Sequence, residues 1–369
     1  MKPIKIMTRH AIVNYGSLFQ SYATQSILEG MGYNAQIIDY ISHNETVTRR
    51  LRAFSLRCAN PIKRIVYRLV KLPDEIIKDR KFVKFRKRLL KMTERFSSLE
   101  ELKSHDFADD ILCAGSDQLW GYMPNEAIDP AYFLEFGSEK NQYVAFSSSF
   151  GRVDFPPEYF ENLDALLNKF SLLTIREPSG VDLIHKHTPY RAKHVFDPTL
   201  LFPREKWLEM AAAPVYRKPY ILLYQLRKNK LMDGYVQALS KKTGLPIVRV
   251  STSVYDFLKY GKKQVLKSPE TVLSLFRDAH CVVTDSFHAT VLSLIFNRRF
   301  VDFLPPATHE RITDLLSVAG LSDRVVSEIT EQTLAIPEID IDYDGINATF
   351  DALRKEQLAY IQEQLEGME

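Results

Sequence analysis

Short apolar runs alternate with longer segments of helical periodicity through the first half of the chain. Apolar or β-branched runs between polar turns are typical of buried strands, and apolar residues spaced three and four apart indicate helices. The sequence predicts strands at residues 4–8, 35–40, 110–114, 142–146, 172–175 and 193–196, and helices at residues 17–32, 157–170 and 181–187. Strands that alternate with helices predict a parallel, Rossmann-like sheet.

The same alternation resumes after a cluster of prolines, Pro203, Pro214 and Pro219, which predicts a domain boundary. Beyond it the pattern predicts strands at residues 220–225, 247–250, 281–284 and 300–303, and helices at residues 232–243, 269–278, 289–296, 311–319 and 344–366. A chain of 369 residues is also longer than a single core usually supports. The sequence therefore predicts an α/β protein with two Rossmann-like domains and a cleft between them.

The predicted domain limits follow from these elements. Residues 1–205 are expected to form an N-terminal Rossmann-like domain with a basic helical insertion at about residues 49–95. Residues 206–343 are expected to form a C-terminal Rossmann-like domain. Residues 344–369 are expected to form a helix that crosses back onto the N-terminal domain.

Positive charge is concentrated in the insertion. Residues 49–95 hold 17 Lys and Arg against 4 Asp and Glu, whereas the whole chain has a net charge of only +3. Apolar residues at helical spacing predict two basic amphipathic helices, broken near Pro73. Three interpretations stay open: the solvated face of an inserted hairpin, a surface that docks on anionic membrane lipid, or a grip for an anionic acceptor. Nucleic acid is not expected as a partner, because no known reader motif accompanies the charge.

Composition narrows the class of protein. With 45% hydrophobic and 26% charged residues the chain can bury a core. It has no apolar run of transmembrane length and no secretory signal at its start, so we expect a cytoplasmic location, with a possible association at the inner face of the membrane through residues 49–95. The three cysteines, Cys58, Cys113 and Cys281, are far apart, which favours reduced thiols over a disulfide or a zinc site.

Polar side chains follow several of the predicted strands. They lie in the segments 14–17, 115–118, 147–151, 176–179 and 285–288. Because the carboxyl ends of parallel strands meet at one edge of a sheet, these segments predict a polar binding site. The sequence has no HExxH, no P-loop, no G-x-S-x-G and no G-x-G-x-x-G motif, which argues against a zinc protease, a P-loop enzyme, a serine hydrolase and a dinucleotide site.

His288 is the most informative of these polar residues. It falls on a turn from strand to helix, beside unpaired backbone N–H groups and the positive end of a helix dipole. A histidine in that position can act as an acid next to a bound anion. The residues alone therefore predict an α/β enzyme with an anionic substrate, and they do not specify the reaction.

Six segments, taken together, resemble the polysaccharide pyruvyl transferase family. They are Asn-Tyr-Gly-Ser-Leu-Phe-Gln at 14–20, Gly-Ser-Asp-Gln-Leu-Trp at 115–120, Ser-Ser-Ser-Phe-Gly at 147–151, Arg-Glu-Pro-Ser-Gly at 176–180, Asp-Pro-Thr-Leu-Leu at 197–201 and Thr-Asp-Ser-Phe-His at 284–288. The resemblance implies a GT-B-like pair of Rossmann-like domains. It also implies the transfer of pyruvate from phosphoenolpyruvate to a sugar of a cell-surface polysaccharide or its lipid-linked precursor, with formation of a ketal and without a further cofactor or metal.

The resemblance also implies roles for particular residues. His288 matches the catalytic histidine and is assigned as the general acid. Asp285 is assigned to orient His288 or to accept a hydroxyl proton, and Asp117 is the competing base. Arg176 is the first choice for anion binding, with Arg9, Arg299 and Arg311 behind it. The remaining predicted substrate-binding residues are Asn14, Gly16, Ser17, Ser116, Gln118, Ser149 and Ser286.

One position departs from the family pattern. Many members have Arg-x-His where this chain has Ser286-Phe287-His288, and that arginine is expected to hold phosphoenolpyruvate. Either another cation replaces the arginine or the donor differs. Two alternative classes therefore stay open: a GT-B glycosyltransferase that uses a nucleotide sugar, and a non-catalytic protein that binds glycans or membranes.

Overall fold

A computed structural model describes residues 2–42, 45–56, 60–121, 128–152, 154–305 and 309–368 of the chain. These residues form two compact units. The first comprises Met1–Leu201 and Gln357–Glu369, and the second comprises Phe202–Glu356. Cys58 and Tyr122 lie outside the described residues.

In the described part of the first unit, seven strands form one parallel sheet in the order β3-β2-β1-β4-β5-β6-β7. The strands are β1 (Pro3–Met7), β2 (Asn34–Tyr40), β3 (Met92–Phe96), β4 (Ile111–Ala114), β5 (Gln142–Ser148), β6 (Phe170–Ile175) and β7 (Lys193–His194). The strand order reverses between β1 and β4, and this switch point is where doubly wound sheets bind ligands.

Helices connect these strands. They are α1 (Tyr15–Gly30), α2 (Val47–Leu56), α3 (Pro61–Leu89), α4 (Leu99–Ser104), α5 (Pro157–Glu161), α6 (Leu163–Leu167), α7 (Pro178–His187) and α8 (Pro198–Leu201). The core on one side of the sheet includes Trp120, whose ring stacks on Phe133 with centroids 5.2 Å apart and whose indole N–H donates to the Tyr132 carbonyl. Trp120 is therefore a core residue.

The described part of the second unit has five parallel strands in the order β10-β9-β8-β11-β12. They are β8 (Ile221–Tyr224), β9 (Ile247–Ser251), β10 (Lys262–Val265), β11 (Cys281–Thr284) and β12 (Arg299–Asp302). The helices are α9 (Arg204–Met210), α10 (Lys230–Thr243), α11 (Pro269–Arg277), α12 (Phe287–Ile295), α13 (Glu310–Val318) and α14 (Tyr343–Glu366). The strand order reverses between β8 and β11, so the turn that carries His288 lies at this switch point.

The structure corrects three of the predicted elements. Pro73 does not break the basic segment, because α3 continues through it. Pro73 removes the donor for the Leu69 carbonyl, but Leu69 is exposed and water can take that bond. The predicted helix at 157–170 is two short helices, and Phe170 already belongs to β6.

The third correction concerns the start of α1. The sequence predicted a helix that starts at Ser17, but the helix begins at Tyr15 and its cap is Asn14, whose side chain accepts a hydrogen bond from the Gly16 N–H at 2.8 Å. An asparagine is as good a cap as a serine, and the earlier start leaves the Ser17 hydroxyl available for a bond elsewhere.

Candidate functional sites at the carboxyl edges of the two sheets

In the first unit, hydrogen bonds join the two loops at the switch point. The Thr8 hydroxyl, directly after β1, donates to the Ser116 carbonyl after β4 at 2.7 Å. The Gln20 side chain on α1 donates to the Thr8 hydroxyl at 2.9 Å. These buried bonds fix the ends of both central strands against the first helix.

Asp117 lies at the centre of this edge. Its carboxylate accepts a hydrogen bond from the Ser17 hydroxyl at 2.6 Å and from the Gln118 N–H at 2.8 Å. Its backbone φ is 85°, a left-handed conformation that aspartate tolerates better than most residues. The structure thus brings together three of the predicted site residues, Ser17, Asp117 and Gln118.

Arg176 has a partner within the protein. Its guanidinium Nη1 lies 2.6 Å from Asp197 Oδ2, and the Ser116 hydroxyl lies 3.2 Å from the same oxygen. Glu177, the next residue in the chain, is more distant, at 3.9 Å from Arg176 Nε. Burial lowers the pKa of Arg176, but the combined charges of Asp197, Asp117 and Glu177 outweigh this effect, so the pKa is raised. Arg176 therefore holds strand ends together, and an additional role in anion binding stays a prediction.

Glu177 organises the loop after β5. Its Oε1 accepts hydrogen bonds from the Ser149 hydroxyl at 3.0 Å and from the backbone N–H groups of Phe150 and Gly151 at 2.8 and 3.2 Å. Ser149 is fully buried, so its hydroxyl serves the loop. Its predicted contact with substrate stays a prediction.

Gly151 leaves room for Gln118. A Cβ atom on Gly151 would lie 2.1 Å from Gln118 Nε2, and the backbone φ of Gly151 is 74°. Gln118 is half-buried, and its side-chain amide packs against Gly151.

Arg9 and Asn14 are the half-buried polar residues on the β1 side of this edge. Arg9 Nε lies 2.8 Å from Glu45 Oε1. Burial alone would lower the pKa of Arg9, but the charges of Glu45 and Asp117 raise it. His10, which the sequence analysis missed, places its two ring nitrogens 3.1 Å from the Thr8 carbonyl and from Asp39 Oδ1.

In the second unit, Asp285 joins the two central strands. Its Oδ1 accepts from the Leu226 N–H at 2.7 Å and its Oδ2 accepts from the Arg227 N–H at 3.0 Å. Burial raises the pKa of Asp285, and the two backbone hydrogen bonds act against that rise. These bonds fix the loop after β8, which favours a positioning role for Asp285 over that of a base.

His288 lies in the first turn of α12, which begins at Phe287, whereas the sequence predicted that His288 lies on the turn just before this helix. Ser286 is the N-cap residue of that helix, and both Ser286 and His288 are buried. The neighbouring Phe287 ring has the Arg311 guanidinium 5.4 Å from its centroid. The structure therefore brings Arg311 of α13 to the turn that carries His288.

A buried carboxyl group lies behind this turn. Asp302, the last residue of β12, pairs in register with Thr284 and is fully buried. Its Oδ1 is 2.9 Å from the Thr290 hydroxyl, which is also 3.1 Å from the Ser286 carbonyl. Burial, helped by the charge of Asp285, raises the pKa of Asp302 to about 8. A protonated Asp302 would donate to Thr290, and Thr290 would then donate to Ser286.

The prediction of Arg299 as a site residue is wrong. Arg299 is the first residue of β12, so it lies at the amino edge of the sheet, opposite the edge that carries His288. There it pairs with Glu338 and Asp340 on the surface.

The sequence analysis also missed the cations that follow β8. Arg227 and Lys228 are exposed in the loop that leads to α10, whose N-cap is Asn229. Burial raises the pKa of Asp285, and the positive charge of Arg227 acts against that rise. A strand followed by basic residues and an Asn cap was a signal that could have revealed this loop.

Two parallel sheets with polar carboxyl edges define a protein of two Rossmann-like domains, the class to which GT-B proteins belong. The family model described as polysaccharide pyruvyl transferase matches residues 14–304, which is most of the chain. The protein therefore belongs to the polysaccharide pyruvyl transferase family, and the predicted family is confirmed. No curated protein matches the chain significantly.

Solved structures show a similar fold at low sequence identity. Anabaena Alr3699/HepE, solved in complex with UDP and glucose, is 9% identical, with a TM-score of 0.51 over 100% of this chain and 99% of that one. UDP-N-acetylglucosamine 2-epimerase from Rickettsia bellii is 14% identical, with a TM-score of 0.49 over 98% of each chain. The likeness to the first confirms the predicted GT-B-like fold class.

Proposed function

We propose that the protein transfers pyruvate from phosphoenolpyruvate to a saccharide and forms a ketal, with His288 as the general acid. The observation that carries this proposal is the position of His288, in the first turn of α12 at the carboxyl end of β11, within the matched family region. A histidine there can donate a proton to a substrate that is bound beside the positive end of the helix.

The proposed reaction begins with proton transfer from His288 to the methylene carbon of phosphoenolpyruvate, which becomes a methyl group and leaves C2 electrophilic. One sugar hydroxyl adds to C2, phosphate leaves, and a second hydroxyl closes the ring. Of the two hydroxyl protons, one restores His288 and the other leaves with phosphate. Asp285 supports this reaction by fixing the loop after β8.

Ser286 stands where many family members have an arginine, and two other cationic residues can take over the role of that arginine. Arg227 follows β8, and its backbone N–H donates a hydrogen bond to the Asp285 carboxylate. Arg311 lies against the ring of Phe287. Phosphoenolpyruvate carries a carboxylate and a phosphate, and each is bound well by a guanidinium group. We propose that Arg227 and Arg311, with the start of α12, bind this donor.

We assign the saccharide to the polar edge of the first sheet. Arg9, Asn14 and Gln118 are half-buried there, and Asp117 lies among them. Such groups suit hydroxyl recognition. The proposed acceptor is a sugar of a polysaccharide or of its lipid-linked precursor.

The test is phosphate release from phosphoenolpyruvate in the presence of free and lipid-linked oligosaccharides, followed by phosphorus NMR. The proposal predicts release that requires both the saccharide and the protein, with a new methyl signal on the sugar. Release of UDP from a nucleotide sugar, with phosphoenolpyruvate unchanged, would instead identify a glycosyltransferase.

A further inference from the structure

The two halves of α3 have different surroundings. In the second half, Phe82 and Phe85 are buried, with ring centroids 5.1 and 6.5 Å from that of Tyr15. Arg86 donates to the Ala11 carbonyl at 3.1 Å. The first half, before Pro73, has no buried residue. The second half thus anchors the helix to the first unit, whereas most side chains of the first half are exposed.

The exposed half carries a continuous apolar face. Ile62, Ile65 and Leu69 are 71%, 59% and 66% exposed. At about 100° per residue, the apolar side chains of this half cover an arc of roughly 160° around the helix axis. They are Ile62, Ile65, Val66, Leu69, Val70 and Leu72. An apolar face of this size is unusual on a soluble surface and marks an interaction site.

The remaining arc of the same half is basic. It carries Lys63, Arg64, Arg68 and Lys71, and residues 61–72 contain no Asp or Glu. The basic side chains therefore lie outside the apolar arc, and Lys63 and Arg68 flank it on its two sides. The acidic residues of α3 lie further along, where Glu75 and Asp79 pair with Arg50 of α2.

The arrangement of apolar and basic side chains on this half of α3 indicates the kind of partner that it binds. A second copy of the chain on the apolar face would bring the flanking Lys63 and Arg68 of the two copies close together, which is unfavourable. An anionic bilayer accepts the apolar face between its acyl chains and the basic side chains among its headgroups. Among the described residues, no helix is long and apolar enough to cross a bilayer, so α3 would lie in the plane of the surface.

We propose that residues 61–72 of α3 dock the protein on an anionic lipid membrane. The apolar face enters the interface and the four basic side chains contact lipid headgroups. This docking is independent of the proposed activity, so the failure of either proposal leaves the other untouched.

The test is sedimentation of the full-length protein with vesicles. One set contains phosphatidylcholine alone, and the other contains equal parts of phosphatidylcholine and phosphatidylglycerol. The proposal predicts that the protein sediments with the mixed vesicles and remains in solution with the neutral ones. High salt should weaken binding without abolishing the apolar contribution.

Variants separate the two faces of the helix. Ile65→Asp combined with Leu69→Asp should abolish vesicle binding, while Lys63→Gln combined with Lys71→Gln should weaken it about fivefold per charge removed. Val215→Asp, which changes an exposed apolar residue outside α3, is the matched control and should bind as the unchanged protein does. All variants should retain the melting temperature, since they change residues that are not buried.

Three outcomes would overturn the proposal. The first is absence of binding to mixed vesicles, and the second is equal binding to neutral and mixed vesicles. The third is a dimer in solution that Ile65→Asp with Leu69→Asp converts to a monomer without any effect on vesicle binding, which would assign the apolar face to self-association.

Discussion

The Arg176 guanidinium lies 2.6 Å from the Asp197 carboxylate inside the first unit, and both side chains are almost completely buried. The pair joins the end of β6 to the segment that follows β7. A residue chosen from the sequence as an anion binder is therefore part of the structure that holds the carboxyl edge together.

We expect Asp197→Ala to lower the free energy of unfolding by about 3–5 kcal/mol, because it removes the carboxylate nearest to the buried Arg176 guanidinium and leaves only the more distant Glu177, at 3.9 Å. Urea unfolding measures this change. Asp351→Ala, which breaks the exposed pair with Arg354, is the control and should cost at most about 1 kcal/mol. Equal effects of the two substitutions would show that the buried pair contributes no more to stability than the exposed pair does.

Gly151→Ala tests the packing of Gln118. The new Cβ would lie 2.1 Å from Gln118 Nε2, so Gln118 must move. The matched control is Gly244→Ala, since Gly244 has a similar φ of 72° but no atom within 4 Å of the added Cβ. Backbone strain should lower the free energy of unfolding of both variants by about 1 kcal/mol, and only Gly151→Ala should lower it further. The melting temperatures would be indistinguishable if Gln118 were not fixed there.

Asp302 should make stability depend on pH. Its pKa is about 8 in the folded protein and near 3.8 when unfolded, so the folded state holds the proton more tightly. The contribution of Asp302 to the free energy of unfolding is then fully present below pH 4, and it falls by about 1.4 kcal/mol per pH unit until about pH 8. Asp302→Asn, which resembles the protonated form, should remove this decline.

Urea unfolding between pH 5 and pH 9 measures the effect. The stability advantage of Asp302→Asn over the unchanged protein should grow up to about pH 8 and then level off. Asp182→Asn, at an exposed position on α7, is the control. A constant difference for Asp302→Asn across this range would show that Asp302 is already ionised in the folded protein.

Arg227→Gln tests how the donor is bound. Loss of one charge-assisted hydrogen bond should weaken phosphoenolpyruvate binding about tenfold, as measured by calorimetry. Lys241→Gln, at an exposed position at the other end of α10, should leave the affinity unchanged. If both variants bind like the unchanged protein, Arg227 does not hold the donor.

The alternation of strands and helices predicted every strand of the two sheets except β3 and β10, because buried parallel strands appear in the sequence as short apolar runs. The pattern failed where local propensity was outweighed by tertiary structure. Pro73 lies inside α3, whose second half is anchored by Phe82 and Phe85. The polar strand β3 (Met92–Phe96) has a weak apolar pattern and was missed.

The candidate site was predictable only in part. Strand ends placed Asp117, Asp285 and His288 correctly, because the carboxyl ends of parallel strands share an edge. The sequence could not show which polar side chains are occupied by other residues. Arg176 is paired with Asp197, and Ser149 with Glu177. The sequence could not reveal these pairs, because the partners are distant from each other in the chain.

The central claim is that pyruvyl transfer proceeds through protonation at His288. The most direct test is the reaction of phosphoenolpyruvate and a saccharide in heavy water, followed by NMR of the product. The account predicts a ketal whose methyl group carries one deuterium, and loss of both ketal and phosphate release in His288→Ala with its melting temperature retained. Full activity of His288→Ala, or UDP release with phosphoenolpyruvate unconsumed, would contradict it.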